Sequence, residues 1–270
     1  MGLIDAPAEF VSELEPLFVT APTTRCGTTL LQRLICSAPN ALLFGETVAG
    51  DLETAINFTF MKARMYDMNR AEVQQKIDAV VAGDVNRWLL DLTPPIGEYL
   101  GALRGEYEAP LIGARDSAAR RGRNVWGVKY PRWPATMIEL LRTLIPRGRW
   151  IYIHRDITDC LRSAKARGEV PRASDVAAYA HEWSTNLSYA MSLPRDERFL
   201  IVDYADLARD PEAFVRRIEE QGGAGPIDRT VLSHRVNDSE GYLQPVELPA
   251  QEMEQALAIA GETRKRVYRT

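Results

Sequence analysis

The residues best suited to chemistry lie in one short stretch, Phe18-Val-Thr-Ala-Pro-Thr-Thr-Arg-Cys-Gly-Thr-Thr-Leu30. An apolar run enters a turn, the turn ends at Gly27, and Thr28 and Thr29 open an apolar helical stretch. That order builds an anion cradle. N–H groups at a helix N-terminus converge on one point, and the helix dipole favours negative charge there. Thr28 and Thr29 add hydroxyl donors, and Arg25 places a cation two residues before Gly27. The G-x-x-x-x-G-K-[ST] pattern does not fit: Pro22 stands at its first glycine and Thr28 at its phosphate-binding lysine. A cysteine phosphatase needs Arg six positions after its Cys. Gln32 stands there relative to Cys26, and Arg33 is one position too late. The loop alone also suits a plain strand–turn–helix junction capped by threonines.

The run Trp150-Ile-Tyr-Ile-His-Arg155 leads into Asp-Ile-Thr-Asp-Cys-Leu-Arg-Ser163. An Arg at a strand's C-terminal end and a Ser on the next helix can grip one phosphate together. Arg167 stands one turn beyond Ser163 on the same helix face. Asp156 and Asp159 resemble a paired-carboxylate site but read better as an N-cap and a first-turn carboxylate. Glu46, after Gly45, reads from the residues alone as a carboxylate at a helix N-terminus. Lys129 stands at the end of another apolar run; Tyr204 reads as a half-buried aromatic and Asp206 as a helix cap. His154, His181 and His234 are widely separated and form no i,i+4 ligand pair, so no metal is expected.

These residues need a scaffold that gathers them. Continuous apolar runs at 17–21, 125–129, 150–154 and 199–202, with a weaker one at 41–44, predict buried parallel strands. Helical stretches are predicted at 28–37, 156–167 and 211–221, the last stopped by Gly222 and Gly223. Leu52, Ile56 and Phe60 recur at helical spacing, and Asn69 with Glu72 reads as a capping box opening a helix towards Trp88. Residues 94–123 are rich in Pro, Gly and Arg and take no assignment; 249–266 read as a last helix. The alternation predicts an α/β fold, a P-loop-like doubly wound parallel sheet flanked by helices. Residues 1–270 are expected to form a single domain with a helical insertion at about 47–122 that shapes the acceptor site.

With these motifs in place, the chain resembles the sulfotransferases that use 3′-phosphoadenosine 5′-phosphosulfate (PAPS). Their phosphosulfate loop reads P-[RK]-S-G-T-[ST]-L; here it is Thr24-Arg25-Cys26-Gly27-Thr28-Thr29-Leu30, with Thr24 for Pro and Cys26 for Ser. Their 3′-phosphate site is a strand ending in Arg with Ser eight residues on, here Arg155 and Ser163. The resemblance leans towards tyrosylprotein sulfotransferases and related bacterial enzymes, through Gly45-Glu46, Lys129-Tyr-Pro131 and Tyr204-Ala-Asp206-Leu207. The stretch from Ser239 to Leu248 is similar to the segment that supplies a transition-state Ser. What the resemblance implies is in-line sulfuryl transfer from PAPS, leaving 3′-phosphoadenosine 5′-phosphate (PAP), without a metal. Glu46 would be the general base, Arg25 and Lys129 would stabilise charge, and Ser239 would touch the bridging oxygen. The donor set would comprise Arg25, Cys26, Gly27, Thr28, Thr29, Arg155, Ser163, Arg167 and Tyr204.

Composition bounds the reading. The 270 residues carry 33 basic and 37 acidic side chains, a net charge of −4, which argues against a dedicated nucleic-acid binder. Arg accounts for 28 of the basic residues and Lys for 5; guanidinium is the better fork for phosphate and sulfate. Three cysteines with no C-x-x-C fit a reducing compartment. No signal peptide, myristoylation pattern or membrane-spanning run is visible, so a cytoplasmic enzyme with a small-molecule or phenolic acceptor is expected, with no nucleic-acid or membrane partner. Oligomeric state is not legible. The alternatives are a P-loop nucleotide kinase, disfavoured by the missing lysine, and a non-catalytic nucleotide-binding protein, disfavoured by the joint presence of Arg25, Glu46 and Lys129.

Overall fold

The computed structural model describes residues 10–67, 70–89, 92, 94, 96–194, 196–233 and 246–268. Its centre is a five-stranded sheet in the order β2-β3-β1-β4-β5, with every neighbouring pair parallel. The strands are β1 (Leu17–Thr20), β2 (Ala41–Phe44), β3 (Val125–Lys129), β4 (Arg149–His154) and β5 (Phe199–Asp203). All of β1 and β3 is buried, as continuous apolar runs require when helices cover both faces of a sheet. Phe18 packs on Trp150 at 4.4 Å and on Trp133 at 5.7 Å between ring centroids, and all three are fully buried.

The chain from β1 runs through α1 (Thr28–Ser37) to β2 on one side, whereas the chain from β4 runs through α6 (Ile157–Ala166) and α7 (Ala173–Ser192) to β5 on the other. The connections diverge between β1 and β4, so a crevice opens outside their C-terminal ends, the place where open α/β sheets bind ligands. The loop holding Arg25 and the one holding Arg155 therefore stand on one edge of the sheet, at neighbouring strands.

Between β2 and β3 stand three helices, α2 (Glu46–Asp67), α3 (Arg70–Val81) and α4 (Ile96–Ala119). α3 stops at Val81, short of Trp88. The stretch 94–123, unassigned from its composition, contains the 24-residue α4 with Pro110 inside it. Leu103, Tyr107, Leu111, Ala114 and Ala118 recur every three or four residues and are all buried. That burial outweighs the one backbone hydrogen bond Pro110 removes. α5 (Ala135–Leu144) follows β3. After β5 come α8 (Tyr204–Arg209), α9 (Pro211–Gly222), a 3-10 turn at Arg229–Ser233 and α10 (Ala250–Tyr268). Asp203 and Asp210 cap α8 and α9 with their side chains, and Gly223 ends α9 at φ +63. Asp206, expected as the cap, instead pairs with Arg209 and Arg217 from the first turn of α8.

Gly127 has a steric cause. A Cβ there would lie 1.8 Å from the Leu17 carbonyl oxygen on the neighbouring strand. Gly127→Ala is expected to lower stability by about 1–3 kcal/mol or more, because backbone has to move; an unchanged thermal midpoint would contradict the packing of β1 on β3.

Candidate active site

The loop after β1 turns on two left-handed residues, Arg25 at φ +64 and Gly27 at φ +99, with Cys26 between them. Turns of this kind aim successive N–H groups into a concavity that suits an anion. α1 follows with no side-chain cap, so its first-turn N–H groups stay available. Gly27 is required twice: by its φ, and because a Cβ would lie 2.5 Å from Tyr204 Cδ2. Arg25 Nε donates to Ser163 Oγ at 3.1 Å. Glu169 accepts from Thr24 Oγ1 at 2.7 Å and lies 3.8 Å from Arg25 Nη1. Thr28 is buried and Thr29 half-buried at the start of α1.

Cys26 points the other way from the cradle. Its side chain is fully buried, with Sγ 3.4 Å from Cys160 Sγ and 3.7 Å from Thr23 Oγ1. Burial pushes the Cys26 thiol up, but hydrogen bonds from Cys160, Thr23 and the Arg155 backbone outweigh it and set it below its ordinary value; Cys160 is pushed well above. The Cys26 side chain, expected among the donor-binding groups, thus packs into the interior beside Cys160.

Arg155 begins the loop after β4. Its guanidinium carbon lies 4.8 Å from the centroid of the Tyr204 ring, a cation–π distance. Asp159 approaches Arg155 Nε to 3.5 Å but without hydrogen-bond geometry, so among the described residues this buried donor has no hydrogen-bond acceptor. The Tyr204 ring thus touches both anion loops, Gly27 with its edge and Arg155 with its face. Ser163, expected to grip a phosphate with Arg155, is instead joined to Arg25. Arg167 caps the C-terminus of α6 with its side chain exposed, and no contact among the described residues ties it to either loop.

Glu46 and Lys129 meet across neighbouring strand ends. The register of β2 on β3 sets Phe44 opposite Val128, so the residues that follow converge. Lys129 Nζ donates to Glu46 Oε1 at 2.6 Å. The Lys129 side chain is 6% exposed and that of Glu46, the first residue of α2, is 55% exposed. The ammonium is thus held inside the crevice while the carboxylate reaches solvent. Ser239 lies outside the described residues.

The comparisons can now be set beside this geometry. A profile of the Sulfotransferase family matches residues 16–224, more than half of the chain. The chain belongs to the sulfotransferase family, and its enzyme class is that of the PAPS-dependent sulfotransferases its motifs resemble. No curated protein matches it. Among solved structures it is similar to the sulfotransferase domain of the Synechococcus PCC 7002 olefin synthase, at 15% identity and TM-score 0.47, covering 93% of this chain and 96% of that one. It is similar to the sulfotransferase STF9 of Mycobacterium avium at 16% identity and TM-score 0.47, covering 98% and 80%. A third is retinol dehydratase in complex with retinol and PAP, at 16% identity and TM-score 0.47, covering 93% and 82%. Among the described residues no helix is long and apolar enough to cross a membrane, and no three His, Cys, Asp or Glu side chains stand together as a metal site.

Several residues that build the site have no counterpart in the motifs. α7, read as no element from the sequence, sends Tyr179 Oη to the Thr24 carbonyl at 2.6 Å, Trp183 Nε1 to the Arg155 carbonyl at 3.0 Å and Asn186 Nδ2 to the Pro22 carbonyl at 2.9 Å. The three- and four-residue spacing of Val176, Tyr179, Ala180, Trp183, Leu187 and Ala190, all buried, is the helical signal that marks it. Its start is visible too, in Asp175 reaching back to the Arg172 N–H at 3.0 Å. α10 adds Arg264, which donates to Asp156 Oδ2 at 2.7 Å, and Tyr268, whose hydroxyl lies 2.9 Å from His154 Nδ1. These flank Arg155 on both sides in sequence.

Asp156 caps α6 as expected, accepting from Thr158 N at 3.0 Å. Burial raises its carboxyl, but the hydrogen bonds from Thr158 and Arg264 outweigh burial and hold it below the ordinary carboxylate value. A lowered folded-state value means stability fully present above the unfolded carboxylate range and lost as pH falls through the folded value. Asp156→Asn is expected to flatten the acid limb of a plot of thermal midpoint against pH; an unaltered limb would contradict this linkage.

Proposed function

We propose that the chain transfers a sulfuryl group in line from PAPS to a hydroxyl or phenol of a small-molecule acceptor, with Glu46 as general base. One observation carries the reading: two anion-gripping loops at adjacent strand ends, joined by the Tyr204 ring. The donor set fits a doubly phosphorylated nucleotide. It offers an uncapped helix N-terminus, the guanidinium of Arg25, and a buried Arg155 Nε that lacks a hydrogen-bond acceptor among the described residues. Gly27, Thr28, Thr29 and Arg25 hold the 5′-phosphate end, and Arg155 holds the 3′-phosphate, with the Ser163 hydroxyl coupling Arg25 to that side. PAPS supplies the activated sulfuryl group when bound.

The rest falls to side chains of this chain. In sulfuryl transfer, as in phosphoryl transfer, charge spreads over peripheral oxygens, so positioning and electrostatics dominate. Glu46 Oε1 is engaged by Lys129, and its exposed carboxylate takes the proton of the acceptor hydroxyl. Once protonated, Glu46 no longer holds the ammonium as an ion pair. Lys129 is then free to turn its charge to the sulfuryl oxygens, so proton removal and charge stabilisation are coupled in one pair. Because Glu46 opens α2, the helices between β2 and β3 border the acceptor.

Glu46→Gln is expected to lower kcat by about 10²–10⁴-fold, the usual span of general-base loss, with PAP affinity close to that of the parent. Arg155→Ala is expected to weaken PAP by about tenfold or more, as loss of a charged hydrogen bond does. Titration calorimetry with PAP and sulfation assays over a panel of phenols and alcohols check both. A fully active Glu46→Gln would remove Glu46 as the base, and ATP with magnesium raising the thermal midpoint more than PAP would overturn the donor.

A further inference from the structure

We infer that α7 is the element that aims the donor-binding loops, and that Tyr179, Trp183 and Asn186 are positioning residues for the donor. This rests on the donor reading above and extends it to residues that touch no ligand. The three stand at positions i, i+4 and i+7, one face of a helix. Each donates a hydrogen bond to a loop carbonyl: Tyr179 to Thr24, Trp183 to Arg155, Asn186 to Pro22. Tyr179 is 8% exposed, Asn186 4% and Trp183 0%, so their action runs through the loops.

The peptide plane explains how. A trans peptide is planar, and its C=O and N–H point to opposite sides; among the described residues only Gly225-Pro226 is cis. A carbonyl bound to α7 therefore turns the following N–H away from α7. For the Thr24 carbonyl that N–H belongs to Arg25, the left-handed residue of the cradle. For the Pro22 carbonyl it belongs to Thr23, whose hydroxyl lies 3.7 Å from the Cys26 sulfur at the loop floor. For the Arg155 carbonyl, the bond to Trp183 sets the plane from which the Arg155 side chain departs. A left-handed Arg25 is also costly for a residue with a Cβ, and the Tyr179 bond to the preceding carbonyl helps hold it there. One rigid helix thus sets both loops relative to each other, which independent loop anchors would not do. α10 secures α7 from its other side, where Ser184 and Ser188 both bond Thr263 Oγ1, at 2.6 and 2.8 Å.

Tyr179→Phe and Trp183→Phe each remove one hydrogen-bond donor and keep a ring. For both, PAP affinity by titration calorimetry, KM for PAPS, kcat and thermal midpoint would be measured, with Arg155→Ala alongside. Each α7 variant is expected to raise the PAP Kd and the KM for PAPS about three- to tenfold, the worth of one hydrogen bond. kcat at saturating PAPS is expected to stay within about twofold, since only binding geometry is lost. Parental PAP affinity in Tyr179→Phe and Trp183→Phe, whatever their thermal midpoints, overturns the inference if Arg155→Ala weakens PAP. Parental affinity in Arg155→Ala instead overturns the donor reading. Should Trp183→Phe not fold, Tyr179→Phe, which lacks a single oxygen, decides alone.

Discussion

The backbone carbonyls of Pro22, Thr24 and Arg155 all accept hydrogen bonds from one face of α7, and the rest of the site follows from that attachment. An anion cradle works only if its N–H groups already point inward before the anion arrives, because reorganising them costs binding free energy. Loops tied from behind by buried donors cannot swing without leaving buried carbonyls unsatisfied, at about 1–3 kcal/mol each. The sheet places the two loops on neighbouring strands, and α7 sets their relative orientation.

Electrostatics then sharpens the site. Each of its three cations has a carboxylate within ion-pair range: Glu169 at 3.8 Å from Arg25, Asp159 at 3.5 Å from Arg155 and Glu46 at 2.6 Å from Lys129. An entering anion competes with these carboxylates rather than simply neutralising bare charge. The pairs differ in kind. Glu169 and Asp159 are side chains on the rim, whereas Glu46 and the buried Lys129 form the tightest pair and the one the proposed proton transfer uses. Tyr204 stands between the loops as a shared wall, held by the Asp203 cap at the start of α8.

Much of the frame was legible because it depends on local pattern. Continuous apolar runs identified the strands, Gly27 with two threonines identified the cradle, and Asp156 was read correctly as a cap. α4 escaped because Pro110 and its glycines argue locally against a helix that burial of Tyr107, Leu111 and Ala118 stabilises. Cys26 was assigned to the ligand by its position in a motif, while its thiol packs inward against Cys160. Ser163 was paired with Arg155 by spacing along the chain, while its hydroxyl bonds Arg25 across 138 residues.

Residue type and short-range spacing therefore carried the α/β class and the turn with Arg25 after β1, whereas Glu46, Lys129 and Arg155 were expected from the motifs of the resemblance. Helix and strand periods, caps and left-handed turns are local energies that a few neighbouring residues settle. Which side chain meets which was decided by the fold alone: Glu46 with Lys129, Tyr204 between two loops, and α7 behind both. The Glu46–Lys129, Arg25–Ser163 and Thr24–Tyr179 hydrogen bonds join residues 83, 138 and 155 positions apart, and only strand order and helix packing bring such distant groups within reach.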